Sequence, residues 1–195
     1  MAAAGRPRSE ESHKAILKAA YDLLHEDGFA RFTFERVAAK AGVSRSTIYR
    51  WWPGKGALAM ESALGALTEE LNFTPGTAPI ENIRTRLRLV AQALKGRPGK
   101  VIAAMLAEGQ QDPDTLRSFT EDYIEPARKI LRAQIRHAID EGLIRPDFDI
   151  EIAIDVTFGS LYHQLLLRRT LDADWVDRLI DLILAGALTE CAPQP

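Results

Sequence analysis

The sequence predicts an all-α protein, an N-terminal helix-turn-helix head followed by a helical body. Three observations predict it. Apolar residues recur at helical spacing almost throughout the 195 residues, no strand-like alternation interrupts them, and Gly and Pro punctuate the chain at helix-length intervals. Apolar residues make up 46% and charged residues 27%, the balance of a soluble globular chain with a substantial core. No uncharged apolar run reaches the ~18 residues that would span a membrane. The basic N-terminal stretch lacks the apolar core of a signal segment. A lone cysteine, Cys191, excludes an internal disulfide and suits a reducing compartment. A cytoplasmic protein is expected.

The first helix is expected from after Ser9 to about Glu26, with Ile16, Leu17, Ala20, Leu23 and Leu24 on one face. Asp27-Gly28 ends it, glycine being the usual residue just past a helix. Residues 33–55 then read as two short helices around a tight turn. Ala38 is small enough for close packing, Gly42 can take the left-handed conformation that the turn needs, and Ile48 plugs the junction. Thr33 and Ser44 stand where N-caps belong. Phe29, Phe32, Phe34, Val37, Val43 and Ile48 are the expected core. The spacing is that of a helix-turn-helix, which lays its second helix in the DNA major groove.

Pro53-Gly54 breaks the chain before a fourth helix over about 55–71, which carries Leu58, Ala59, Ala63, Leu64 and Leu67. Residues 72–79 are rich in turn formers and read as a linker. Further helices are expected at about 80–95, 99–111, 114–141, 149–170 and 173–190, with a loop at 142–149. Pro126 begins or kinks the long third one. The division expected is residues 1–56 as N-terminal arm and DNA-binding domain, and 57–195 as a helical regulatory domain. Charge agrees with it. Residues 1–56 hold ten Lys/Arg against six Asp/Glu, and the remainder fifteen against twenty-one. A basic end on an acidic body is what a DNA-binding head would show.

The segment Val43-Ser44-x-x-Thr47-Ile48-Tyr49-x-Trp51-Trp52-x-x-Lys55-x-x-Leu58, preceded by a helix ending Ala41-Gly42, resembles the tetracycline-repressor (TetR) family of bacterial transcription regulators. The resemblance spans roughly residues 12–60; beyond it only length and helix layout agree. Glu141-Gly142-Leu143-Ile144-Arg145-Pro146-Asp147 also looks like a subgroup of that family. Tryptophan at positions 51 and 52 departs from the His or Tyr and the Phe common in the family, so base preference can differ.

Arg45, Ser46 and Thr47 open the second helix, the end expected to approach base edges. Arg45 can bridge guanine O6 and N7, and Thr47 can meet a thymine methyl or a phosphate. Arg50, one turn on, is expected at a base or the backbone. The resemblance implies phosphate contacts for Tyr49 and Lys55, with core packing the other role open to Tyr49. Thr33 is a cap first, and the amides that it caps can face a phosphate. Of the two tryptophans, Trp51 is expected outward and Trp52 packed. The arm Gly5-Arg6-Pro7-Arg8 reads either as a minor-groove arm or as a solubilising tail.

Residues 149–169 and 173–188 are apolar over more than one narrow stripe, so each helix is expected to bury two faces. The family pairs these helices across a homodimer. Phe158, Leu161, Leu165, Leu179, Ile183, Leu184 and Ala187 are the candidate interface, with Gly159, Ser160, Ala185 and Gly186 allowing close approach. Merely being core helices is the alternative. The resemblance also implies an effector pocket in the body, with Met105, Gln110, Phe119, Tyr123, Phe158, Tyr162 and His163 as candidates. The expected partners are therefore a palindromic double-stranded DNA operator, a second copy and a small molecule, with no membrane. The ligand would favour a body arrangement that misplaces the two heads.

Catalysis has no support in the motifs: there is no phosphate loop, no metalloprotease or nucleophile-elbow pattern and no cysteine cluster. His13, His25, His137 and His163 are scattered without metal-ligand spacing, so no cofactor or metal is expected. The remaining alternative is a DNA-binding dimer controlled by a protein partner or by no effector.

Overall fold

The computed structural model describes residues 6–185, 187 and 188, with 6–9, 66 and 68–70 as backbone only. All its regular elements there are helical, and none is long and apolar enough to cross a membrane. The helices are α1 (Arg6–Asp27), α2 (Phe34–Ala41), α3 (Arg45–Tyr49), α4 (Lys55–Glu70), α5 (Pro79–Lys95), α6 (Arg97–Gly109), α7 (Pro113–Phe119), α8 (Glu125–Asp140), α9 (Ile150–Leu166) and α10 (Ala173–Leu184). Two compact units result, one of Met1–Glu69 with Arg97–Ile124, the other of Glu70–Gly96 with Glu125–Pro195. The sequence reading cuts the chain once, after residue 56. The compact units alternate along the chain, because α6 packs on α1 and α7 on α6.

In the first unit α1 buries Ile16, Ala20, Leu23 and Leu24 and starts earlier than Ser9, since Pro7 fits a first helical turn. Gly5 and the side chains of Arg6 and Arg8, the basic arm, lie outside what is described. Phe29, Phe32, Phe34, Val37 and Ile48 form the head's core; Val43 is only half-buried. Gly42 takes φ 67°, ψ 31° and donates its N–H to Ala38 O, closing α2. At the start of α4, Gly56 meets α7 so closely that a Cβ would lie 2.7 Å from Thr115 Oγ1 and 3.0 Å from its Cα. A hydrogen there is what lets the two elements touch.

The helix expected over 114–141 is broken. α7 ends at Phe119, a π-turn covers Thr120–Ile124, and α8 starts at Glu125. Pro126 has no N–H to give and its ring crowds the carbonyl four residues back, so the ladder shifts register just upstream.

In the second unit α8 packs on α5 and α9, and α10 on α5 and α9. Asp149 caps α9 by accepting from Ile152 N at 3.0 Å, and Asp172 caps α10 by accepting from Trp175 N at 2.8 Å. Arg128 and Arg132 both bond Glu151 at 2.9 Å, and Arg128 also bonds Asp155, tying α8 to α9. Arg88 holds Asp177 at 2.9 Å and Arg84 holds Asp181, tying α10 to α5. α10 stops at Leu184 rather than running to 190. The chain turns back there, and Ala187 O accepts from Arg145 N at 2.9 Å.

Candidate nucleic-acid interface

Two helix starts shape this surface. Thr33 Oγ1 accepts from Arg36 N at 3.4 Å at the start of α2. Ser44 Oγ accepts from Thr47 N at 3.3 Å at the start of α3, and lies 2.8 Å from Ser46 Oγ and 2.9 Å from Thr47 Oγ1. Ser46 and Thr47, two of the hydroxyl residues expected to approach DNA, thus form one small network with the Ser44 cap. Ser46 is exposed and Thr47 half-buried.

Arg45 projects from the first position of α3 and donates from Nη1 to Glu35 Oε1 at 2.9 Å. That hydrogen bond is the main cause holding the Glu35 carboxyl below its ordinary pKa. Tyr49 is 59% exposed while its ring meets Phe34 edge-on at 4.8 Å. The ring is thus packed on one edge while most of the side chain stays exposed. Arg50 is exposed, its guanidinium 5.7 Å from the Trp51 ring centroid.

The tryptophans divide as expected. Trp51 is 43% exposed and Trp52 2%. Trp52 stacks on His13 at 5.0 Å and donates its indole N–H to Glu61 at 2.6 Å, while His13 touches Trp51 edge-on at 5.1 Å. Periodicity alone could not find His13 or Glu61 as the partners. Lys55 is engaged: Nζ lies 3.2 Å from Glu108 Oε1 and 4.5 Å over the Phe29 ring. Fifty-three residues separate the pair, so no local pattern announces Glu108.

The body candidates fall in different places. Met105, Phe119 and Tyr123 are buried in the first unit, where Gln110 is exposed and bonds Leu106 O. In the second unit Phe158 is buried, Tyr162 half-buried and His163 exposed. Between α5, α8, α9 and α10 lies an apolar recess of about 20 Å³, walled by Leu87, Leu131, Phe148, Thr157, Ile180 and Ile183 among others. None of the seven candidates lines it. It has room for about one water, and its hydroxyl, on Thr157, is spent on Ala153 O at 2.7 Å.

Of the interface candidates, Phe158, Leu161, Leu184 and Ala187 are buried within the unit, and Leu165, Leu179 and Ile183 are half-buried. The apolar groups turned to solvent are others: Ile152, Val156, Leu166 and Leu167 on and just after α9, and Leu182 on α10 at 73% exposure. Gly159 sits exposed on the same stripe, with open space where a Cβ would point. Helical periodicity reveals two apolar faces but not which one the neighbours cover. Among the described residues no group of three or more His, Cys, Asp or Glu could hold a metal ion.

Comparison with known proteins agrees with this geometry. Residues 16–61 match the family model "Bacterial regulatory proteins, tetR family", and residues 80–183 match "Tetracyclin repressor-like, C-terminal domain". The chain is 37% identical over 163 residues to the uncharacterized HTH-type transcriptional regulator YdeS of Bacillus subtilis (strain 168), covering 84% of this chain and 82% of that one. Among solved structures it resembles the TetR family transcription regulator SCO0332, with TM-score 0.78, 32% identity and coverage of 91% and 98%. It also resembles Thermus thermophilus FadR, a transcriptional repressor in complex with lauroyl-CoA, with TM-score 0.71, 27% identity and coverage of 94% and 98%.

Proposed function

Because this chain belongs to the TetR family of bacterial transcriptional regulators, we propose that two copies hold a palindromic operator and that a small molecule releases them. Residues 1–56 are the reading head in this account and 57–195 the regulatory part. The observation that carries it is the surface of α3 and the two residues after it, where Arg45, Ser46, Tyr49, Arg50 and Trp51 are all exposed, on a capped helix after a left-handed glycine turn. Side chains of these types supply both base-edge and phosphate contacts. Thr33, Thr47 and Lys55 are assigned further contacts, Lys55 engaging DNA once it leaves Glu108.

One head has a small footprint, and two related by a two-fold axis combine their binding energies. The exposed stripe of Ile152, Val156, Gly159, Leu166 and Leu182 supports pairing through α9 and α10. The effector is assigned to the helical body. Its apolar recess favours an apolar group, since no wall residue offers a free charge. Entry requires α10 to part from α5, against the Arg84 and Arg88 ties to Asp177 and Asp181. Movement of α10 would reach the pairing face directly.

The test is selection of bound duplexes from a random pool, beside a Tyr49→Phe variant that keeps the packed ring. Enrichment of an inverted repeat, with weaker retention by the variant, is the expected result. Folded protein that enriches no sequence at low salt would sink the reading.

A further inference from the structure

Glu35 lies in the first turn of α2 and Arg45 opens α3, and their side chains meet across the length of α2 and the turn at Gly42. The Arg45–Glu35 hydrogen bond of 2.9 Å joins side chains that are both more than half exposed. Stability does not explain it, because an exposed pair contributes about 0–1 kcal/mol. Affinity for DNA does not explain it either, since a carboxylate beside a phosphate track repels it. Other carboxylates that hold cations of the head do structural work: Asp27 and Glu26, at the end of α1, bind Arg36 and Lys40 of α2 and so brace one helix on another. Glu35 instead grips a residue that opens α3.

A guanidinium is a planar fork with five N–H donors. One bond to Glu35 restricts where the fork can swing and leaves the remaining donors to meet an acceptor pair such as guanine O6 and N7. We propose that Glu35 is a positioning residue that sets the base preference of Arg45. A freely rotating Arg45 would reach phosphates and several base edges with similar ease; a held one favours G·C at a single position of each half-site. The inference rests on α3 being the helix that enters the groove.

The experiment compares full-length wild type with Arg45→Ala, Glu35→Ala and Glu35→Gln, at fixed salt, against operators changed one base pair at a time. Arg45→Ala should lose about tenfold of discrimination at one position per half-site. Glu35→Ala should lose discrimination at that same position and no other. Glu35→Gln keeps an acceptor oxygen and should keep most of it. The Glu35→Ala/Arg45→Ala double variant should be no less selective than Arg45→Ala alone. Glu35→Ala binding all duplexes more tightly with preferences intact would overturn the proposal, leaving Glu35 a mere repulsive charge. Unchanged preferences in Arg45→Ala, from a selective wild type, would overturn it while the regulator reading stands. A wild type without sequence preference would remove both.

Discussion

The ammonium of Lys55 and the carboxylate of Glu108 are held 3.2 Å apart across 53 residues of chain. The lysine expected to meet a phosphate is therefore already paired, within its own compact unit, by a residue of α6. In the proposed complex, binding DNA would exchange one anion for another. Exposed or half-exposed pairs of this kind contribute about 0.2–1 kcal/mol, so Glu108→Gln should raise operator affinity by up to about fivefold. Lys55→Ala should flatten the dependence of log K on log salt by about 0.9. Filter binding over a salt series reads both. An unchanged affinity in Glu108→Gln, together with an unchanged salt slope in Lys55→Ala, would mean that Lys55 does not meet a phosphate.

The turn of the head gives a separate prediction. Gly42 holds φ 67° with nothing within 4 Å of where a Cβ would sit, so substitution is opposed by the backbone alone. Gly42→Ala should cost about 1–2 kcal/mol, lowering the melting temperature by several degrees. Gly42→Asn should cost less, because asparagine tolerates this region. Equal melting of Gly42→Ala and wild type would contradict the strain argument.

Pairing through the solvent-facing stripe predicts a divergence between two leucines. Leu182→Glu, at 73% exposure, should give a folded monomer by light scattering and circular dichroism, with operator affinity down about 100-fold as avidity is lost. Leu161→Glu, at 1% exposure, should unfold its unit instead. A dimeric Leu182→Glu would show that another face pairs.

Acid should loosen the seam between α8 and α9 in a defined window. The hydrogen bond from Arg132, aided by Arg128, holds the Glu151 carboxyl at about 2 rather than 4.5. A depressed carboxylate stabilises the fold fully above its unfolded value and loses that contribution as pH falls through the folded one. Wild type should therefore lose stability between about pH 4.5 and 2 that Glu151→Gln never has. Denaturant titrations of both proteins should converge at the acid end, and parallel curves would exclude the effect.

Much of this could be read from the chain because it is local. Gly28, Gly42, Thr33 and Ser44 mark their turns through their own backbone and hydroxyl chemistry, and the tight spacing of Ala38, Gly42 and Ile48 identifies the head. Other features depend on what folds against them. Pro126 announces a break, but the π-turn lies upstream because the clash is with an earlier carbonyl. Leu161 and Leu184 belong to the same apolar helices as Ile152 and Leu182, and only the packing of α5 and α8 decides which pair turns inward. Glu108 opposite Lys55 has no signature at all at that separation.

The placement of the indoles makes the molecule its own optical reporter. Trp52 sits in a dry, stacked site inside the head, Trp51 stands wet on the surface beside it, and Trp175 belongs to the other compact unit. Emission from Trp52 should be blue-shifted and follow unfolding of the head, while Trp51 should respond when nucleic acid covers it. Single Trp→Phe replacements would separate the three signals. Occupation of the DNA surface and events around α10 can then be timed in one unlabelled sample, giving the order in which a regulator of this kind hears its signal and lets go.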